Sequence, residues 1–354
     1  MPENSSNKPR TIESRKQGHV ELCVQQDVGF RTRKAGFADL HFRHNALPEL
    51  DLTEIDTAAS FLGKPLKAPL VISSMTGGYP DAERINRSLA EAAQQFGLAM
   101  GIGSARQAME SDSQHGSFSI VRKSAPGIPI FTNIGGREVA QLDGAGKIRE
   151  LRKIIDLVEA DAIAIHLNPL QELMQPEGST DFRGVLNGIE QVVLTLGIPV
   201  IVKEVGAGIS AQVAKRLLDV GVTVIDVAGA GGTSWAGVEI LRHDDSDQPT
   251  REPFWDWGIP TVQALLDVVT LRTDHEFTLI ASGGITNGLD VARSIALGAD
   301  LAAMARPLIK SLVDHGPEAL HAQIESILFQ LRGAMFLTGS RDLAELSKQE
   351  LYAG

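Results

Sequence analysis

The chain has 354 residues, 43% hydrophobic and 22% charged, enough apolar material for a large core. Lys and Arg total 33 against 44 Asp and Glu, a net charge of −11, which leaves no footprint for nucleic-acid binding and requires any anionic ligand to find a local basic pocket. Cys23 is the only cysteine, excluding an intramolecular disulfide and a cysteine-cluster metal site; no apolar run nears the roughly 18 residues of a membrane span, and Met1–Arg10 lacks the apolar core of a secretory signal, so a cytoplasmic location is expected.

Residues 1–68 read as an N-terminal extension, a substrate-covering arm, and 69–354 as one barrel domain. Short apolar runs follow at Pro69–Ser74, Leu98–Ile102, Pro129–Asn133, Asp161–Leu167, Ile198–Val205, Val222–Ala228, Thr278–Gly283 and Ala299–Met304, giving eight candidate strands. Between them Asp81–Phe96, Val139–Glu159, Ser210–Val220 and Thr261–Leu271 carry helical periodicity. Such alternation suits a (β/α)8 TIM barrel or a doubly wound sheet. The strand ends arbitrate, because each carries a chemically capable group: Ser74–Thr76, Ser104 with Arg106, Asn133, His166 with Asn168, Lys203 with Glu204, Gly229–Thr233, Ser282–Gly284 and Ala305–Arg306. Convergence of all eight on one mouth is barrel behaviour. Two parts fall outside the repeat. Trp235–Pro260, after the sixth strand, holds all three tryptophans and reads as a lid, an arm between subunits or an inert surface loop; Pro307–Gly354 reads as a helical tail.

The densest chemistry lies at His166-Leu167-Asn168-Pro169-Leu170-Gln171-Glu172, where an imidazole, two carboxamides and a carboxylate follow an apolar strand. These groups can orient a polar substrate, relay a proton or hold a hard cation, although a strand followed by a polar turn has the same composition. The loops Ser282-Gly283-Gly284-Ile285 and Ala303-Met304-Ala305-Arg306 each lead into a helix, one starting near Asn287 and one after Pro307. Glycine lets backbone approach a ligand, a helix N-terminus offers unpaired N–H groups, and the loops after the seventh and eighth barrel strands are a habitual phosphate site. Met75, Thr76, Asn133, Lys203 and Thr233 point to the same centre from other strands, as a flat isoalloxazine ring would need. Lys203 would set a cation beside that ring to stabilise its anionic reduced form, or would pair with Glu204 or Asp226.

Several stretches together resemble the type 2 isopentenyl-diphosphate isomerase family, an FMN-dependent group: Arg15-Lys16-Gln17-Gly18-His19, Ser74–Gly78, Gly103–Arg106, His166–Glu172, Val202–Gly206, Asp226–Trp235 and Ser282–Ile285. The resemblance implies that FMN contacts Ser74, Met75, Thr76, Ser104, Asn133, Lys203, Thr233, Gly283, Gly284, Ala305 and Arg306. It implies that a five-carbon diphosphate meets Arg15, Lys16, Ser104, Arg106, His166, Asn168 and Gln171, with Glu172 holding Mg2+. The implied reaction interconverts isopentenyl and dimethylallyl diphosphate, with reduced FMN as the acid–base catalyst, NADPH as the flavin's reductant, and Gln171, His166 and Glu239 in support. Glu239 would relay protons through a water held by Gln171; an exposed glutamate on a lid is the plainer reading of that position. His166 is a substrate contact or a buried hydrogen-bonded histidine, and Arg15-Lys16 taken alone is a solvated basic patch. The chain departs from the family pattern at Ala105, where a glutamine is expected. A homo-oligomer, tetramer or octamer, is expected, and the rival function is an FMN-dependent oxidoreductase of the hydroxy-acid oxidase type.

Overall fold

A computed structural model describes residues 12–140, 145–243 and 246–354. Eight parallel strands close into a barrel: β1 (Leu70–Ile72), β2 (Ala99–Gly101), β3 (Ile130–Gly135), β4 (Ala162–Leu167), β5 (Val200–Glu204), β6 (Val224–Asp226), β7 (Thr278–Ser282) and β8 (Leu301–Met304). Each lies within one of the eight apolar runs, or one or two residues beyond it, and the fold is the (β/α)8 TIM barrel.

Side chains alternate across a strand, so every second residue faces the barrel interior. Val71, Ala99, Phe131, Ala162, Ala164, Ile201, Val224, Ile280, Leu301 and Ala303 form that inner cluster, while their neighbours, such as Ile130, Ile134, Ile163 and Val202, pack in the larger core under the helices. Continuing the inward series to the C-terminal end of the strands gives Asn133, His166, Lys203, Asp226 and Ser282. Strand register sets three of these at one height, because His166 is the partner of Lys203 and Lys203 the partner of Asp226. The barrel is therefore apolar below and polar at its mouth.

The N-terminal extension serves both ends. A hairpin, Ala59–Phe61 with Lys64–Leu66, sends Phe61 and Leu66 into the inner cluster, with Phe61 edge-on to Phe131 at 6.3 Å. Its two-residue turn has positive φ at both Leu62 (51°) and Gly63 (74°), the primed geometry that matches strand twist. At the other end the helix Ile12–Gln25 adjoins the mouth. Its last carbonyls, left without intrahelical donors, accept from the barrel: Cys23 O from Arg306 Nε (2.8 Å), Gln26 O from Arg306 Nη2 (2.9 Å) and Val24 O from Lys310 Nζ (2.8 Å).

The insertion after β6 folds as short helices, Trp235–Ile240 and Gln248–Arg251, and binds the extension rather than swinging free. Asp256 accepts from the N–H groups of Arg31 and Thr32 at 2.8 Å each, Trp255 Nε1 donates to Gly29 O (2.9 Å), and the Arg31 guanidinium stacks 3.7 Å over Trp255. The tail is helical through Arg306–His315, Pro317–Thr338 and Leu343–Leu346, but ends in a strand, Leu351–Ala353, paired antiparallel with Leu40–Phe42. Among the described residues no helix is long and apolar enough to cross a membrane.

Candidate active site

A cavity of about 420 Å³ opens at the mouth and is lined from β-strand ends, the N-terminal helix and the insertion. Of the sequence-derived candidates, Arg15, Lys16, Ser74, Met75, Ser104, Arg106, Asn133, His166, Asn168, Gln171, Glu172, Lys203, Thr233, Gly283, Gly284, Ala305 and Arg306 line it. Thr76 and Glu239 do not. The Thr76 side chain turns away and its hydroxyl donates to Asn86 Oδ1, while its carbonyl accepts from Gly103 N (2.8 Å). Glu239 sits one layer behind the wall, fully buried, where its carboxylate accepts from Gln171 Nε2 at 2.9 Å; the plainer reading of it as an exposed lid residue does not hold.

One side of the cavity is built from backbone. The loops after β6 and β7 are pressed together so closely that a Cβ on Gly232 would lie 2.4 Å from Gly284 N, and one on Gly283 would lie 2.0 Å from Gly229 O. Gly283 also has φ +99°, a conformation that L side chains rarely adopt. The helix Gly288–Ala296 is capped by Asn287, whose Oδ1 accepts from Asp290 N (2.9 Å); the helix Arg306–His315 carries Pro307 in its first turn. Both begin where the sequence places them. The Arg306 side chain, engaged with Cys23 O and Gln26 O, offers this side its main chain rather than its charge.

The opposite side is built from charged and polar side chains. Lys16 keeps part of its stem exposed but encloses its ammonium, which donates to Gly77 O (2.9 Å) and Ser104 O (2.5 Å). Burial lowers its pKa to about 7, helped by the charges of Arg15 and Arg106 and opposed by Glu110. Arg106 lies between two carboxylates, Glu110 (3.0 Å) and Glu138 (3.2 Å), and Ala105 beside it is fully buried. His166 Nδ1 is 2.8 Å from Asn133 Oδ1; burial, with the Lys203 and Lys16 charges, holds its pKa down to about 3, so the ring is neutral at pH 7. A neutral ring donating through Nδ1 leaves Nε2 as an acceptor. Lys203 Nζ donates to the carbonyl of Glu204 (2.6 Å) rather than to a carboxylate. Burial raises the pKa of Asp226 beside it, against the Lys203 charge and the Ser282 hydroxyl.

Asn168, Gln171 and Glu172 form a chain on the short helix Pro169–Met174 and its cap. Asn168 Nδ2 approaches Gln171 Oε1 at 3.2 Å and Glu172 Oε1 at 3.4 Å. Glu172 Oε2 accepts from Ser179 N (2.9 Å) and lies 3.5 Å from Arg137. Glu239 gathers three donors: Gln171, His19 Nε2 (2.9 Å) and Arg242 Nη1 (2.5 Å). Burial pushes its pKa up, but His19, Arg242 and Gln171 outweigh that and hold it down to about 2. Sequence reasoning missed Arg137, Arg242, Glu177 and Tyr79. Arg242 had a usable signal, since Glu239 and Arg242 are i,i+3 and face one another across a helical turn.

A parallel barrel with a backbone cradle over its last three strands and a polar floor is the architecture of phosphate-anchored cofactor barrels. The model of the FMN-dependent dehydrogenase family matches residues 9–118 and 150–353, and the chain belongs to that family. Within it the similar proteins are isopentenyl-diphosphate delta-isomerases: that of Chlorobaculum parvum is 49% identical over 96% of both chains, and that of Chlorobium luteolum 50% over 94% of this chain and 93% of its own. The corresponding protein of Stutzerimonas stutzeri is 46% identical over 97% of both. At this likeness the chain is an enzyme of the isopentenyl-diphosphate isomerase family, as its motifs suggest. Among solved structures, mandelate oxidase with an FMN adduct superposes with a TM-score of 0.65 at 17% identity, over 94% of this chain and 95% of its own. Mandelate oxidase with (S)-2-phenylpropionate gives 0.66 at 18%, over 95% and 94%. These show the shared fold alone.

Proposed function

We propose that this chain interconverts isopentenyl diphosphate and dimethylallyl diphosphate on FMN, as the names of its relatives indicate for them. The observation that carries the reading is the two-sided cavity, with a glycine-rich cradle opposite a cluster of cations. FMN fits the residues present. Ser74 and Met75 line the cavity, and the contacts of Gly232 and Gly283 leave backbone where side chains would stand. Ser74, Met75, Ser104, Asn133, Lys203, Thr233, Gly283, Gly284, Ala305 and the main chain of Arg306 would hold it, with Thr76 shaping the loop behind them. When bound and reduced, FMN supplies acid–base chemistry to the alkene and an electron-rich surface beside it.

The chain's own residues bind, orient and keep water out. Arg15, Lys16 and Arg106 concentrate positive charge for a diphosphate on a protein of net charge −11. Within residues 1–68 the helix Ile12–Gln25 acts as the covering arm, since it carries Arg15 and Lys16 to the cavity and is fastened by Lys16, Arg306 and Lys310. His166, held neutral with Nδ1 on Asn133, accepts a hydrogen bond from the substrate or its water through Nε2 without adding charge. Asn168 and Gln171 orient the substrate or a water, and the Glu239 carboxylate behind Gln171 assists the proton relay through such a water by fixing Gln171 as its donor.

Among the described residues no cluster of three or more His, Cys, Asp and Glu could hold a metal. A site for Mg2+ therefore needs phosphate oxygens to complete it, with Glu172 as the single protein carboxylate, which suits the reluctance of Mg2+ to shed water. Arg137 already shares that carboxylate. NADPH supplies the reducing equivalents, and assembly is a tetramer or octamer, to be checked by light scattering.

The test is electron balance. Substrate added anaerobically to the oxidised flavoprotein should leave the flavin absorbance unchanged, and product should form once the flavin is pre-reduced. Bleaching of the flavin by a 2-hydroxy acid would establish the oxidase alternative instead.

A further inference from the structure

We propose that Arg242 is a positioning residue: it keeps Glu239 a carboxylate aimed at Gln171 and, through Glu177, ties that carboxylate to the docked N-terminal helix. The proposal rests on the isomerase reading only for its kinetic test.

Glu239 is wholly buried, and its two oxygens are divided among donors from three elements. Oε1 accepts from Gln171 Nε2 on the loop after β4 and from His19 Nε2 on the N-terminal helix, both at 2.9 Å. Oε2 accepts from Arg242 Nη1 at 2.5 Å. The second arm of Arg242, Nη2, reaches Glu177 Oε1 at 2.7 Å, and the same oxygen lies 4.0 Å from Arg15 Nη1. Cys23, on the buried face of the N-terminal helix, also feels the Glu239 charge.

Charge and geometry together show what Arg242 adds. Among the described residues Arg242 is the one group that joins Glu239 to Glu177, while His19 Nε2 gives Glu239 a further partner at 2.9 Å. The guanidinium is the partner that cannot lose its proton, and its planar fork is the geometry that joins two carboxylates at once. A buried carboxylate without such a partner would take up a proton instead.

The polarity of the wall follows. With Glu239 ionised, Gln171 must donate to it, so the Gln171 oxygen faces Asn168 Nδ2. A protonated Glu239 could itself donate, and the carboxamide would turn over. Arg242 thus sets which end of Gln171 faces Asn168 without lining the cavity. The same fork links that setting to the arm, because Glu177 reaches Arg15.

The experiment is an infrared pH titration of the flavin-loaded enzyme and of R242Q, E177Q and E239Q/R242Q, with kinetics on the same preparations. R242Q should show a protonated-carboxyl band appearing about one to three pH units above its position in wild type, absent from E239Q/R242Q. Its kcat should fall at least tenfold with KM moving less than threefold, and the acid limb of its kcat profile should shift upward by the same amount as the band. R242K, which keeps the charge but not the fork, should restore the band position but only part of kcat. E177Q should fold normally and give a smaller shift in the same direction. An R242Q band and profile at the wild-type position would overturn the proposal, as would a band that persists in the double variant. If wild type binds flavin yet shows no isomerisation, the functional reading fails while the infrared result still decides the role of Arg242.

Discussion

The loops after β6, β7 and β8 bring mostly glycine, alanine and small polar residues to the cavity, whereas those after β2, β3 and β4, with the N-terminal helix, bring Arg, Lys, His, Glu and carboxamide side chains. The first side is made of glycines whose neighbours leave no space for a Cβ, so its shape is fixed by the fold and carries little charge. The second holds Lys16, Arg106, His166 and Glu172, whose protonation and pairing depend on one another and on docking of a separate helix. A backbone surface suits a resident cofactor that must stay in one place. A side-chain surface suits an exchanging, highly charged substrate, because it can be assembled and released.

That division can be broken first from the rigid side. Gly283→Ala puts a Cβ 2.0 Å from Gly229 O at φ +99°. Strain of about 3 kcal/mol corresponds to roughly 10²-fold weaker flavin retention, read by flavin release on dilution, together with a lower Tm. Retention at wild-type strength would mean that the cradle is not the phosphate site. From the adaptable side, Glu239→Gln should lower kcat roughly 10²-fold with flavin content and KM nearly unchanged, in steady-state kinetics on flavin-saturated enzyme. Glu172→Gln should raise the Mg2+ concentration needed for half-maximal rate by about tenfold, through loss of a charged ligand, without releasing FMN. Flavin loss from that variant would move Glu172 into the structural side of the comparison.

The smallest effect comes from pH. Lys16, lowered to about 7, is charged in the folded protein below that value and neutral above it, so its attraction for a diphosphate fades as pH rises through about 7. For Lys16→Arg, kcat/KM should stay level between pH 7 and 9 where wild type declines a few-fold, because arginine does not titrate there. The stability sign follows separately. The folded pKa lies below the ordinary 10.5, so between about 7 and 10.5 the unfolded chain binds the extra proton, and the Lys16 contribution to stability improves as pH rises through that window.

Most of the barrel was legible because its signals are local. Each strand is a short apolar run, and the inward series that ends in Asn133, His166, Lys203 and Ser282 places chemistry at strand termini, where sequence position and spatial position coincide. Ser74, Gly283 and the helix capped by Asn287 fell in place for the same reason. The hairpin at Ala59–Leu66 was missed because its strands have three residues each and their apolar members make sense only under the barrel floor. Pairing of Leu40–Phe42 with Leu351–Ala353 joins segments some 300 residues apart, which no local period reports. Thr76 was credited with a cavity contact because strand-end spacing gives position and not rotamer; Asn86, ten residues on, claims its hydroxyl. Glu239, offered by the sequence as a proton relay or an exposed lid residue, is buried where His19, Gln171 and Arg242 meet it, contacts that no local pattern reports.

The central claim, that the cavity is an isomerase site working on resident flavin, meets its most direct test in an anaerobic comparison of one preparation with its flavin oxidised and then reduced by NADPH, in the presence of Mg2+. Double-bond migration in isopentenyl diphosphate, followed by proton NMR, should appear only in the reduced sample and should leave the flavin reduced at the end. Equal turnover with the oxidised flavin, or none in either state, would contradict it.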